Sequence, residues 1–204
     1  MVRHGAYMRF VVLLALIATA CAHSLPNYPY GSEPDPRNKE VILGVGDVVQ
    51  INVWGESNEA LNTEATIRPD GTITMPLVGD LHAVGKTPTT LKEAIRTKLA
   101  EFVKMQGTEV TVALKAWKSY RFTVQGEVQK TGVFTTDQYV TVADALALAG
   151  GPTRFAKRGD IVLIRSEPGS KETRRIPLDY DTLASGRHLE MNIFVLPGDT
   201  IYVP

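Results

Sequence analysis

Residues 41–54 read Val41-Ile42-Leu43-Gly44-Val45-Gly46-Asp47-Val48-Val49-Gln50-Ile51-Asn52-Val53-Trp54. Gly46-Asp47 is a turn signal. Beyond it Val49, Ile51 and Val53 alternate with Gln50, Asn52 and Trp54, the period of a strand with one buried face. Farther on, Ala65-Thr66-Ile67-Arg68 and Thr72-Ile73-Thr74-Met75-Pro76 flank Pro69-Asp70-Gly71. Proline there pre-sets φ and glycine takes φ > 0, which predicts a hairpin. Thr87 is placed to N-cap a helix with Pro88 at its first position, and Thr90 with Glu93 also fits a capping box. Leu91, Ala94, Ile95, Leu99 and Phe102 form one apolar stripe, away from Lys92, Arg96, Lys98 and Glu101, and Gly107 follows as the stop. Glu109 to Trp117 alternates again as a strand. Residues 41–118 are therefore expected to form a small sheet plus one amphipathic helix.

A second unit is expected over residues 119–204. Tyr120, Phe122 and Val124 alternate with polar residues, and Val128 with Gly132-Val133-Phe134 reads as the partner strand. Thr141 with Asp144 caps a short helix, Val142 to Ala149, stopped by Gly150-Gly151-Pro152. Ile161-Val162-Leu163-Ile164 reads as a buried strand, and Pro197-Gly198-Asp199 leads into a last one ending at Val203. Gly-Asp steps at Gly46-Asp47, Gly159-Asp160 and Gly198-Asp199 each precede an apolar run. Aspartates in that setting position loops rather than carry chemistry.

The 204 residues are 44% hydrophobic and 22% charged, too apolar for a disordered chain. Lys and Arg number 22, as do Asp and Glu, and a formal net charge of zero argues against a general nucleic-acid binder. The mean hydropathy of −0.05 argues against a polytopic helical membrane protein. One cysteine leaves no room for a disulfide framework or a Cys-rich zinc site.

The first 20 residues read as a signal peptide. Arg3 and Arg9 precede an apolar run from Phe10 to Ala20, and that run is shorter than the roughly 20 residues a bilayer span needs. Ala18-Thr19-Ala20 supplies small residues for cleavage, and Cys21 follows directly. This resembles a bacterial lipobox, with Ala18 where Leu is usual. The alternative is an ordinary Ala-x-Ala cleavage that leaves a free thiol. Ala22 in place of Asp favours sorting to the outer membrane. Cleavage removes two arginines and no acid, so the mature net charge is −2. Residues 21–40 carry Pro26, Pro29, Pro34 and Pro36 and read as an extended, lipid-anchored tether.

No constellation for catalysis, cofactor or metal emerges. Gly79 to Thr87 looks like a phosphate loop but has five residues between its glycines where the motif needs four. His82 and His188 lack paired ligand spacing, and no Gly-x-Ser-x-Gly elbow occurs. Trp54 and Trp117 could stack on sugar rings or anchor core and interface. Arg154, Lys157, Arg158, Arg165, Lys171, Arg174 and Arg175 form a basic stretch with only Asp160, Glu167 and Glu172 against it. It reads either as a solvated hairpin or as a surface for an acidic polymer or partner. Arg154, Lys157, Arg158, Arg165, Trp54 and Trp117 are thus the candidate contact residues.

Two blocks carry a family resemblance. Leu43-Gly44-Val45-Gly46-Asp47 into Val53-Trp54, Arg68-Pro69-Asp70-Gly71 with Thr72 to Gly79, and Val84-Gly85-Lys86-Thr87 resemble the polysaccharide export domain of outer-membrane export lipoproteins, the group that includes the Wza translocon. Val124 to Val128, Gly132-Val133-Phe134, Thr141 to Gly151 and Pro197 to Pro204 resemble the soluble-ligand-binding β-grasp (SLBB) domain. Thr131 stands where that family commonly has proline. The resemblance implies an α+β chain, a polysaccharide export domain with a small mixed sheet followed by an SLBB β-grasp domain. It implies a non-enzymatic role in capsule or exopolysaccharide export, at the periplasmic face of the outer membrane. Identical subunits would close a ring, and the expected partners are the exported polysaccharide, an inner-membrane polysaccharide co-polymerase and a separate outer-membrane β-barrel. The barrel is expected because the sequence stops at Pro204, without the C-terminal amphipathic helix of long family members. A glycan-binding periplasmic lipoprotein and a glycan-cleaving enzyme are the competing readings.

Overall fold

The computed structural model describes residues 27–55, 61–166 and 172–204. The expected signal peptide (residues 1–20), Cys21 and Lys171 lie outside them. Val49, Ile51 and Val53 are buried, as their alternation demands, on strand β1 (Val48–Trp54). β1 is the centre of a three-stranded sheet, between β2 (Thr63–Thr66) and β5 (Glu109–Ala116), and both pairings are antiparallel.

The Pro69-Asp70-Gly71 turn forms, but it is a corner rather than a hairpin. Gly71 N–H donates to the Arg68 carbonyl and Arg68 N–H to the Thr72 carbonyl, both at 2.9 Å. The strands on either side then part. β2 stays with β1, because Ile67 N–H donates to the Asp47 carbonyl and Gly46 N–H to the Ile67 carbonyl. β3 (Thr72–Met75) instead pairs antiparallel with β4 (Gly79–His82) as a separate ribbon. Every strand pairing in this domain is antiparallel, where a mixed sheet was expected.

Helix α1 spans Pro88–Leu99. Its box joins Thr87 to Thr90: the Thr87 hydroxyl accepts from Thr90 N–H at 3.2 Å, and the Thr90 hydroxyl from Thr87 N–H at 2.8 Å. Thr90 is thereby used as the third helical residue, so it does not cap toward Glu93. Leu91, Ile95 and Leu99 are fully buried in one core with Val49, Ile51 and Ile73. Each such burial is worth roughly 1.5–3 kcal/mol. The helix ends at Leu99, and Phe102 beyond it is exposed.

The second core belongs to a five-stranded sheet of order β7-β6-β10-β8-β9. Its strands are β6 (Arg121–Gly126), β7 (Gly132–Thr135), β8 (Ile161–Ser166), β9 (Thr173–Leu178) and β10 (Thr200–Val203). β10 runs parallel to β6 and antiparallel to β8, so the mixed sheet is here. Helix α2 (Val142–Leu148) contributes Val142, Ala145 and Leu146 to the core, from the Thr141–Asp144 box read in the sequence. Gly126 has φ +94°, and a Cβ there would lie 2.0 Å from the Val203 carbonyl oxygen. The final strand can reach β6 only because that position is glycine. β9 pairs antiparallel with β8, in the region read as a solvated hairpin or a partner surface, and α3 (Tyr180–Ala184) follows it.

The described part of the proline-rich segment is packed, where an extended tether was expected. Residues 27–38 make two short 3-10 turns, Tyr30–Ser32 and Pro36–Asn38, and lie on the second domain. Tyr30 is buried in that domain's core, with Tyr28 packed against it. The prolines fix the backbone, but the tyrosines between them supply apolar area that a tether would leave in water. No helix among the described residues is long and apolar enough to cross a membrane.

Candidate functional site

The two domains meet at Asp47, the aspartate of the opening Gly-Asp step. Its buried carboxylate accepts from Gly44 N–H at 2.8 Å, Ser119 N–H at 2.7 Å and the Ser119 hydroxyl at 2.8 Å. A Cβ on Gly44 would sit 2.4 Å from the Ser119 Cβ, so the close approach of the domains needs glycine. Asp199 repeats the device. Its carboxylate accepts from Leu196 N–H at 2.7 Å, the same three-residue reach as Asp47 to Gly44. Asp160, the third Gly-Asp aspartate, is exposed in a 3-10 turn.

Asp199 also anchors a buried ion cluster. Arg165 donates to both its carboxylate oxygens, with Nη2 at 2.6 Å and Nε at 3.1 and 3.2 Å. Arg165 Nη1 reaches Glu33 at 2.5 Å, and Arg174 Nη1 reaches the other Glu33 oxygen at 2.8 Å. Tyr28 donates its hydroxyl proton to Glu33 as well. The Glu33, Arg165 and Asp199 side chains are 1%, 4% and 2% exposed. Burial pushes the Asp199 carboxyl above its ordinary range, while the Arg165 guanidinium pulls the other way. The contact is bidentate, the geometry of the strong charge-assisted hydrogen bonds. Tyr30 donates to the Pro177 carbonyl on β9, and burial pushes its hydroxyl up to about 12. Arg37 lies 4.6 Å from the centre of the Phe194 ring. The N-terminal segment is thus a strap seated on the second domain.

The candidate contact residues do not converge. Arg165 is committed to Asp199 and Glu33 inside the protein and offers no surface to a polymer. Arg174 is tied to Glu33. Arg158 faces Asp181 at 3.6 Å, and Arg154 lies over the exposed Phe155 ring at 4.7 Å. Lys157 is exposed near them in sequence. Trp54 is 62% exposed at the end of β1. Trp117 is half-buried, stacked on Tyr120 at 4.6 Å and edge-on to Tyr139 at 4.8 Å. Arg165 and Arg174 of the basic stretch are thus drawn into internal pairing, while Arg154, Lys157 and Arg158 stay at the surface, a split that charge counting along a sequence does not make.

Trp117 does border a cleft. An open cavity of about 960 Å³ lies between the end of β5 and the second domain, lined by residues 115–118, by 135–138 and by Val140, Asp144, Ala147 and Leu148. A smaller, more enclosed cavity of about 580 Å³ lies under the strap, between Pro34, Ile42, Leu43, Leu196 and Pro197, with the paired Arg165 and Asp199 in its wall. Among the described residues no group of three His, Cys, Asp or Glu side chains is placed to hold a metal ion. The family signature at Arg68-Pro69-Asp70-Gly71 also resolves into structure. Arg68 binds Asp80 at 2.8 Å and Thr74 at 2.9 Å across the β3–β4 ribbon. Hydrogen bonds from Thr72, supported by Arg68, hold the Asp70 carboxyl down to about 2.

The structure thus defines a two-domain α+β protein, a small antiparallel domain followed by a five-stranded mixed sheet. Residues 35–115 match the family model "Polysaccharide biosynthesis/export protein", and residues 121–176 match the SLBB domain. The chain belongs to the Wza-like polysaccharide export family. It is 29% identical over 127 residues to the exopolysaccharide production protein ExoF of Rhizobium meliloti, covering 58% of this chain and 30% of ExoF. It is 26% identical over 176 residues to the capsule polysaccharide export outer membrane protein CtrA of Neisseria meningitidis, covering 78% and 42%. It is 28% identical over 166 residues to the polysialic acid transport protein KpsD of Escherichia coli, covering 81% and 28%. The matches span less than half the length of each of these relatives.

Proposed function

We propose that the protein is a non-enzymatic periplasmic component of a capsule or exopolysaccharide export channel. The observation that carries this is the succession, in one chain, of matches to an export domain and an SLBB domain, beside similarity to proteins named for polysaccharide export and transport. Identical subunits would close a ring through heterologous contacts, each using two different faces. The ring would guide a hydrated polymer from an inner-membrane polysaccharide co-polymerase to a separate outer-membrane β-barrel. Weak, polar surfaces suit that task, since a tight site stalls transport. An acyl anchor on Cys21 would hold the protein at the periplasmic face of the outer membrane, at about 0.8 kcal/mol per buried methylene.

Deletion of the gene tests the reading: surface polysaccharide is expected to fall, and unchanged secretion overturns it. In the same strain, Cys21→Ser is expected to move the protein from the membrane to the soluble fraction. Retention in the membrane removes the lipid anchor from the proposal. A glycan-binding lipoprotein without transport is the second reading. It is favoured by the cleft beside Trp117, and it is what remains if secretion persists.

A further inference from the structure

The cleft beside Trp117 has walls from both domains. The end of β5 and the linker after it, residues 115–118, form one side, and the loop after β7 with helix α2 forms the other. Pockets at domain junctions are common ligand sites, and about 960 Å³ is at the upper end of their range. The lining alternates small apolar surface with hydrogen-bonding groups. Lys118, Asp137 and Gln138 are exposed along it, and Thr136 beside them has its hydroxyl turned onto the Gln138 carbonyl at 2.7 Å. Two further charges are already committed: Lys115 is paired with Glu64, and Asp144 caps helix α2. Lys118 and Asp137 balance one another, so the cleft has no net charge to recruit an ionic ligand.

Trp117 is half-buried on the cleft wall, and its indole nitrogen is turned away from solvent.

We infer that this interdomain cleft is a saccharide subsite, taking a short neutral stretch of a polyhydroxylated chain. The inference rests on the polysaccharide reading above and gives it a location. Ring hydroxyls match the donors and acceptors of Lys118, Asp137 and Gln138, and the apolar faces of sugar rings match Ala147, Leu148 and the indole. The cleft is open to solvent, so a chain can pass through it without threading an end.

The test uses the purified full chain. Only two tryptophans occur, so Trp54→Phe leaves Trp117 as the only tryptophan reporter, and Trp54 is exposed enough for the change to leave the fold intact. Fluorescence of this variant is titrated with neutral cello-oligosaccharides of two to six sugars and with alginate fragments of equal length. A saturable change with a Kd of about 1 mM is expected for the neutral series, with alginate no tighter. Adding Lys118→Ala, Asp137→Ala and Gln138→Ala, all at exposed positions, is expected to weaken binding at least about tenfold. No saturable response, or an undiminished response in the triple variant, overturns the subsite, and tighter alginate binding overturns its neutral character. The two readings fail separately. Lost secretion in a deletion strain with no binding in vitro removes the subsite and leaves export standing. Binding with unchanged secretion keeps the subsite and removes export.

Discussion

Arg165 shows how a residue changes meaning between sequence and structure. Along the chain it is one cation in a basic run. In the fold it holds two carboxylates, from positions 34 residues after it and 132 before it, out of water. Nothing local in the sequence announces Glu33 as its partner. Only Asp199 was legible, and only as a turn residue. Arg165→Met is expected to lower stability by about 3–5 kcal/mol, because it strands Asp199 and Glu33 as buried charges near Arg174 alone. A urea unfolding midpoint measures it, and a loss below about 1 kcal/mol would mean that water fills the site. Tyr30 makes a second, pH-linked case. Its hydroxyl is raised by burial first and then by Tyr28, Asp179 and Glu190. A raised folded pKa means that the contribution is complete below the unfolded value near 10 and is lost as pH rises toward about 12. Wild type should therefore lose more stability than Tyr30→Phe between pH 9 and pH 12. Equal losses would show that burial does not hold the phenol protonated in the folded protein.

At the scale of elements, the sequence spoke most clearly where one signal acts within a few residues. The Thr87-Pro88 start of α1, the Thr141–Asp144 box of α2 and the alternation of β1 all lie within a turn or a strand, and the structure has each of them. The corner at Asp70 was half legible. Turn chemistry is local, but which sheet each flanking strand joins is decided by Asp47, about 20 residues away. β9 was hidden for a related reason. Its alternation carries Arg174 and Arg175, and the burial of Ile176 and Leu178 depends on pairing with β8. Thr87→Ala removes the acceptor for Thr90 N–H and should cost about 1 kcal/mol. Thr87→Ser should restore most of it, because the hydroxyl and not the methyl does the capping. Thermal midpoints of the two variants decide this, and equal loss in both would assign the effect to packing.

The whole molecule is two cores that the chain stitches together twice. The strap is fixed on the second domain, the chain crosses into the first at Leu43, and it returns at Ser119 beside Gly44. The first domain is in effect inserted between the strap and the sheet to which the strap belongs. Both crossings converge on one carboxylate, Asp47, which accepts from each side. That interleaving was invisible to a reading that took residues 21–40 as a tether, because a tether and a strap share the same prolines. The Asp47 latch therefore ties the two cores at a single side chain. Asp47→Ala deletes three hydrogen bonds to a buried carboxylate and leaves two partly buried amide donors without their acceptor, a loss of about 2–3 kcal/mol. Because the strap still ties residues 27–38 to the second domain, that domain should keep its own stability while the first loses its partner. Calorimetry is then expected to resolve two transitions in Asp47→Ala where wild type gives one, with the lower one moved by the change. Ser119→Ala, which leaves the Gly44 bond intact, should shift the midpoint by a smaller amount without splitting the transition. A single, unshifted transition in Asp47→Ala would mean that Asp47 does not couple the two cores.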